Sequence, residues 1–136
     1  MSVNTYFQTT NKLGIMNMTK HACQVHIFDP ETRPSHQVAA RHNFTVHDLG
    51  LSGFEHDQKY KRLDTIMKEL GHSHIQILKI DIEGGEKGAI PALQLQGTLE
   101  HVDQIAIEFH STDLMREGLD ILESNGFGIV YARSKF

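Results

Sequence analysis

Several residue types that define particular classes of protein are scarce in this chain. Cys23 is the only cysteine, so neither an internal disulfide framework nor a cysteine-based zinc site can be built. The 136 residues include only 3 prolines and contain no repeat, low-complexity block or linker rich in Pro, Gly and Ser. This length and the lack of a linker predict a single domain with one hydrophobic core.

Long apolar runs and an excess of basic residues are also absent. No run approaches ~18 apolar residues, and the N-terminus lacks a charged start followed by an apolar block, so neither a transmembrane helix nor a signal peptide is expected. The formal net charge is −4, which provides no broad cationic field for a nucleic-acid backbone. We therefore expect no nucleic-acid partner and no membrane segment in this chain, and its localisation stays unknown.

Strand patterns and helix patterns alternate along the sequence. Apolar and β-branched runs predict strands near residues 24–28, 44–47, 75–80, 104–109 and 127–131. One helix is predicted between Asp64 as its N-cap and Gly71, and another begins near Glu86. Ser111 or Thr112 caps a third helix. Alternation of this kind predicts right-handed crossovers and a mostly parallel α/β sheet.

Polar side chains follow four of the predicted strands at the point where each strand ends. These residues are Asp29, Asp48, Asp81 with Glu83, and Glu108 with His110. Open parallel sheets bind their ligands outside the carboxyl ends of their strands. The sequence therefore predicts a ligand site at this edge of the sheet.

Three segments carry a resemblance to a known family: "VHIFDP", "LKIDIEGGE" and "IAIEFH", in this order and at these separations. They resemble the class I S-adenosylmethionine-dependent methyltransferase fold, specifically the FkbM-like and METTL24-like methyltransferase domains, over roughly residues 21–131. The resemblance implies a Rossmann-like three-layer fold with a mostly parallel sheet. It also implies transfer of a methyl group from S-adenosylmethionine to an unknown oxygen or nitrogen acceptor.

The resemblance assigns roles to the residues at the strand ends. Asp29 matches the carboxylate that binds the ribose hydroxyls of the cofactor, and Asp48 matches the strand end near the adenine. The catalytic positions would be those bordering the reactive methyl group and the acceptor: Asp81, Glu83, Glu108 and His110.

The chain departs from the family pattern before Gln24. A class I domain begins with a strand and a turn of the type (D/E)-x-G-x-G, yet Gly14 is the only upstream glycine and no carboxylate precedes it. We therefore divide the chain into a non-matching segment, residues 1–20, and a partial methyltransferase-like domain, residues 21–136. Either the first 20 residues supply a substitute for the central strand or that strand is missing. Weak or absent cofactor binding, inactivity of this chain alone and self-association through exposed strand edges are expected.

Two other functions remain open on the sequence alone. The domain could be a degenerate, non-catalytic interaction module of the same fold, or a cation-binding α/β protein. The resemblance also leaves open a Mg²⁺ ion held by Asp81 and Glu108, as in some class I O-methyltransferases, although we expect no metal in this chain. His72 and His74 are expected to be exposed to solvent, Lys79 to pair with a carboxylate, and Glu86 only to favour the helix N-terminus.

Overall fold

The computed structural model describes residues 3–7, 23–30 and 44–133. The strands in these residues are β1 (Val3–Phe7), β2 (Cys23–Phe28), β3 (Phe44–His47), β4 (Gly50–Leu51), β5 (Tyr60–Lys61), β6 (Ile75–Ile80) and β7 (Val102–Ile107). The helices are α1 (Leu63–Leu70), α2 (Glu86–Leu95), α3 (Thr112–Ser124) and a 3-10 helix (Thr98–His101). None of the helices in these ranges has the length and apolar character needed to cross a bilayer.

Five strands form the main sheet in the order β3-β2-β1-β6-β7. Every neighbouring pair in it is parallel, so the carboxyl ends of all five strands lie at one edge. The expectation of a mixed α/β domain with a parallel sheet is therefore confirmed. A second, two-stranded parallel sheet joins β4 to β5.

The central position of the main sheet is occupied by β1. Its register runs from Val3 opposite Cys23 to Phe7 opposite Ile27 on one side, and Phe7 also lies opposite Lys79 on the other side. The sequence left open whether the central strand is missing or is supplied by the first 20 residues. The structure shows that these residues supply it. The turn after β1, where the family places its glycines, lies outside the described residues, and the division at residue 20 stays a prediction.

The core forms where the apolar faces of the helices meet the strands. In β6, Ile75, Leu78 and Ile80 are buried, as a central parallel strand requires. The buried residues of α1 are Leu63, Ile66 and Met67, and those of α2 include Ala89, Ile90 and Leu93. Both sets recur every three or four residues, so each helix presents one apolar stripe to the sheet.

The predicted start of α1 is wrong by two residues. Its N-cap is Arg62 without a side-chain cap bond, whereas Asp64 lies inside the first turn and accepts two hydrogen bonds of 3.0 Å from Arg62. The Asp64 carboxylate, which was predicted to cap the helix, instead forms a bidentate ion pair with Arg62. The predicted stop is confirmed, because Gly71 adopts the left-handed conformation with φ 70°.

The predicted fifth strand is also wrong. Residues 127–133 contain no strand, and Ile129, Val130 and Tyr131 are 56%, 101% and 79% exposed. Their β-branched and aromatic character favours a pleated surface, but propensity alone does not form a strand without a hydrogen-bonded neighbour.

A pair of glycines brings the small sheet against the helix α2. A Cβ atom placed on Gly53 would clash with the carbonyl oxygen of Gly88, in the first turn of α2. Only a residue without a side chain permits this approach. The segment between β4 and β5 therefore packs directly on the backbone of the helix that follows β6.

Candidate functional site

The candidate site is formed where β6 and β7 end side by side. The backbone N–H of Glu108 donates to the carbonyl of Ile80 at 3.0 Å, which extends the ladder one residue beyond β7. Asp81 follows Ile80 directly, so the carboxylate-bearing residues leave adjacent strands at the same level. This placement follows from the parallel register of two strands that are consecutive in the sheet.

The side chains of Asp81, Glu108 and His110 converge at this edge. Each offers a ligand atom, and these atoms all lie within 4.8 Å of one another. His110 Nε2 lies 3.6 Å from Asp81 Oδ1 and 3.4 Å from Glu83 Oε2. The four positions that the sequence singled out after these two strands are thus brought together, and their catalytic roles stay predictions.

Lys79 supplies positive charge beside this group. Its Nζ lies 3.4 Å from Asp81 Oδ2, so the predicted pairing with a nearby carboxylate is confirmed. The two residues are two apart at the end of β6, where alternate side chains share a face.

Glu86 is a member of the site that sequence reasoning missed. Its side chain is fully buried, Oε1 accepts a hydrogen bond from the Ile82 N–H at 3.2 Å, and the same oxygen lies 3.0 Å from His110 Nδ1. The signal was present in the sequence, because Glu86 shares the apolar stripe of α2 with Ala89, Ile90 and Leu93. We name Asp81, Glu83, Glu86, Glu108 and His110 the strand-end site.

The turn between β6 and α2 is built from residues with positive φ. Glu83 has φ 51° and Gly84 has φ 95°. Left-handed backbone is unfavourable for a residue with a side chain, and such conformations cluster at functional sites. The turn keeps the Glu83 side chain 86% exposed at the mouth of the site, with one oxygen directed to His110.

The position of His110 is fixed by the start of α3. Ser111, one of the two residues predicted to cap this helix, is its N-cap. The Ser111 side chain accepts a hydrogen bond from the Leu114 N–H at 3.2 Å. Phe109 packs on Gly118, where a Cβ atom would lie 2.6 Å from the ring. His110 is therefore held between the end of β7 and a well-capped helix.

Asp29 and Asp48 follow β2 and β3 and do not join the strand-end site. Asp29 is buried, and its backbone N–H donates to the His47 carbonyl at 3.2 Å, whereas Asp48 is exposed. Because β1 separates β2 from β6, Asp29 lies about two strand spacings, or about 10 Å, from Asp81 along the edge. Their roles in cofactor binding stay predictions.

A second group of polar rings lies on the other side of the sheet's centre. We name His26, His47 and His72 the histidine cluster: His26 Nδ1 is 2.9 Å from His47 Nε2, and the His72 ring meets His26 edge-on at 4.9 Å. His72 was expected to be exposed and is partly exposed; its backbone N–H donates to the Met67 carbonyl at 2.8 Å at the end of α1. His74 is partly exposed and pairs with Asp103 at 2.8 Å.

Burial dominates the electrostatics of the histidine cluster. Burial, together with the neighbouring His47 and His72, lowers the pKa of His26 to about 4. Burial and His72 lower the pKa of His47, and burial lowers the pKa of His72. The rings are therefore neutral near pH 7 and pack as small aromatic groups.

Comparison with known proteins identifies relatives for most of the chain. Residues 7–129 match the model of the methyltransferase FkbM domain. The chain is 28% identical over 104 residues to "Probable methyltransferase-like protein 24" of Homo sapiens and 27% identical over 103 residues to the Rattus norvegicus protein of that name. Each alignment covers 70% of this chain and 28% of the relative, and no solved structure matches significantly. The family match spans almost the whole described chain, including both halves of the strand-end site, and the chain belongs to the FkbM methyltransferase domain family.

Proposed function

We propose that this domain, in the full-length protein, transfers a methyl group from S-adenosylmethionine to a hydroxyl or amine acceptor. The observation that carries the proposal is the His110 ring, whose Nε2 faces two carboxylates at the carboxyl edge of a parallel sheet. A Rossmann-like three-layer arrangement with the cofactor along this edge is part of the proposal.

The residues present fit such a cofactor chemically. Asp29 stands at the end of β2, where a carboxylate would accept hydrogen bonds from ribose hydroxyls, and Asp48 stands beyond the next strand, on the adenine side. The strand-end site carries four carboxylates with one nearby lysine among the described residues, which suits a cationic sulfonium group. When bound, S-adenosylmethionine supplies the electrophilic methyl group.

The residues of the strand-end site would then act on the acceptor. An acceptor O–H or N–H placed against His110 would give up its proton to Nε2 as its oxygen or nitrogen bonds to the methyl carbon; the bond from that carbon to the sulfonium sulfur breaks, and the sulfur keeps the bonding pair and leaves as a neutral thioether. The protonated ring lies 3.6 Å from Asp81 and 3.4 Å from Glu83, so the new charge is paired at once. The positive charge of the sulfonium thus passes by way of the acceptor to His110, and the carboxylates stabilise it; they disfavour anionic acceptors such as carboxylates and phosphates.

A divalent cation is the second candidate for this site. The specific observation is that ligand atoms of Asp81, Glu108 and His110 lie within 4.8 Å of one another. Carboxylate oxygens with one imidazole suit Mg²⁺, Mn²⁺ or Zn²⁺. A metal would bind the same Nε2 lone pair that proton transfer requires, so the two functions exclude each other at His110.

Radiolabelled methyl transfer distinguishes these candidates. The full-length protein is incubated with labelled S-adenosylmethionine and panels of neutral hydroxyl, amine and carboxylate acceptors, with and without EDTA. Labelling of hydroxyl or amine acceptors that survives EDTA supports proton transfer to His110. Loss in EDTA that added Mg²⁺ restores supports the cation instead. A full-length protein that binds no cofactor would identify a non-catalytic module.

For residues 1–136 alone we predict no binding of S-adenosylmethionine in calorimetry at about 100 μM ligand. No turn of the type (D/E)-x-G-x-G precedes Gln24, and loss of about three hydrogen bonds to the cofactor costs roughly 3–6 kcal/mol, or about two to four decades of affinity. Micromolar binding that disappears in Asp29→Ala would contradict this prediction. It would mean that the first 20 residues complete the pocket.

A further inference from the structure

We propose that Glu86 is a positioning residue that holds a proton on His110 Nδ1 and thereby leaves the lone pair on Nε2. The inference rests on the proposed function for its catalytic meaning, but the protonation of the two ring nitrogens can be measured without it. Neutral histidine carries its proton on one nitrogen only, and the hydrogen bond made by the other nitrogen selects which.

The position of the proton follows from the two groups that contact Glu86 Oε1. The Ile82 N–H at 3.2 Å can only donate, so Oε1 is an acceptor. His110 Nδ1 lies 3.0 Å from the same oxygen. An ionised Glu86 can only accept hydrogen bonds through its oxygens. With the carboxylate ionised, the hydrogen between Oε1 and the ring is therefore carried by Nδ1.

The burial of Glu86 strengthens its preference for a proton on His110 Nδ1. The Glu86 side chain is fully buried, and its Oε2 has no hydrogen-bond partner among the described residues, so the carboxylate depends on its Oε1 contacts. At the opposite side of the ring, Nε2 makes the longer contacts of 3.4 and 3.6 Å to Glu83 and Asp81. Without Glu86, those carboxylates would attract a hydrogen on Nε2, and the ring would present a donor to the acceptor group instead of a lone pair.

The test is ¹⁵N NMR of the histidine side chains in the 136-residue chain, without cofactor or acceptor, at a pH where the ring is neutral. The wild type is expected to show a protonated Nδ1 and an unprotonated Nε2 for His110. In Glu86→Ala the tautomer ratio is expected to invert. Glu83→Gln is the matched control, because it removes a charge at the Nε2 side and should keep the wild-type tautomer.

Glu86→Gln keeps the inference testable if the alanine variant does not fold. Its amide oxygen can accept from both Ile82 and His110, so we expect it to retain the Nδ1–H tautomer. A wild type with its proton on Nε2, or a folded Glu86→Ala with the wild-type tautomer, would overturn the assignment. If the tautomers behave as expected and the full-length protein transfers no methyl group, only the proposed function fails.

Discussion

The strand-end site and the histidine cluster place the same residue type in opposite surroundings. In the first, His110 contacts three carboxylates, with Glu86 fully buried beneath it. In the second, the histidines contact one another and Phe28, which stacks on His47 at 4.6 Å. Carboxylates around a ring make it useful for proton transfer, whereas neighbouring rings and burial keep it neutral. Histidine content therefore says little about function until the partners of each ring are known.

The largest expected effect is on activity and belongs to the strand-end site. In a full-length protein that transfers methyl groups, His110→Ala should lower the rate about 10²–10⁴-fold, because the proton acceptor is lost. The matched control is His74→Ala, since His74 precedes β6 and lies at the opposite edge of the sheet, paired with Asp103. Equal losses of activity in both variants, measured by labelled methyl transfer, would contradict the assigned role.

The next effect concerns acid stability and belongs to the histidine cluster. The pKa of His26 is 6.5 when unfolded and about 4 when folded, so the unfolded chain binds more protons between these values. The contribution of His26 to the free energy of unfolding is greatest above pH 6.5, and it is lost as the pH falls toward 4. From pH 7 to pH 5 the loss is about 2 kcal/mol in the free energy of unfolding.

Urea unfolding of the wild type and His26→Phe at pH 7 and pH 5 measures this difference. The phenylalanine variant should lose about 2 kcal/mol less than the wild type over this range, because its ring does not titrate. His74→Asn should keep the wild-type dependence. An identical pH dependence in the wild type and His26→Phe would show that His26 does not control acid stability.

The smallest effect is expected at Glu83, the exposed member of the strand-end site. Its φ of 51° suits glycine, so Glu83→Gly should be more stable than Glu83→Ala by about 0.5–1 kcal/mol, although both lose the carboxylate. Denaturant unfolding of the two variants isolates the backbone contribution. An alanine variant as stable as the glycine variant would contradict the strain at this turn.

The sequence predicted the part of the site that depends on strand order. Asp81 and Glu108 follow strands that are consecutive in a parallel sheet, and strand ends meet at one edge whatever the details of packing. The sequence did not single out Glu86, because a carboxylate at a helix start has a common explanation in the helix dipole. The stripe is visible in the sequence; the contact with His110 is not.

The sequence predicts less well those features that depend on contacts between segments far apart in the chain. The histidine cluster requires the register of β2 against β3 and the position of the α1 C-terminus, none of which periodicity specifies. β1 is five residues long and lies in the centre of the sheet, where its neighbours rather than its own sequence define it. Residues 127–131 have the opposite property, with strand propensity and no strand partner.

Because Gly53 contacts Gly88, a substitution at Gly53 is expected to disturb the strand-end site. Gly53 touches the backbone two residues after Glu86, so any side chain added there displaces the helix turn that carries the buried carboxylate. A saturation mutagenesis screen read by loss of activity would then rank Gly53 beside the strand-end residues. Yet it bears no functional group, and its sensitivity would report the alignment of a helix rather than participation in the reaction.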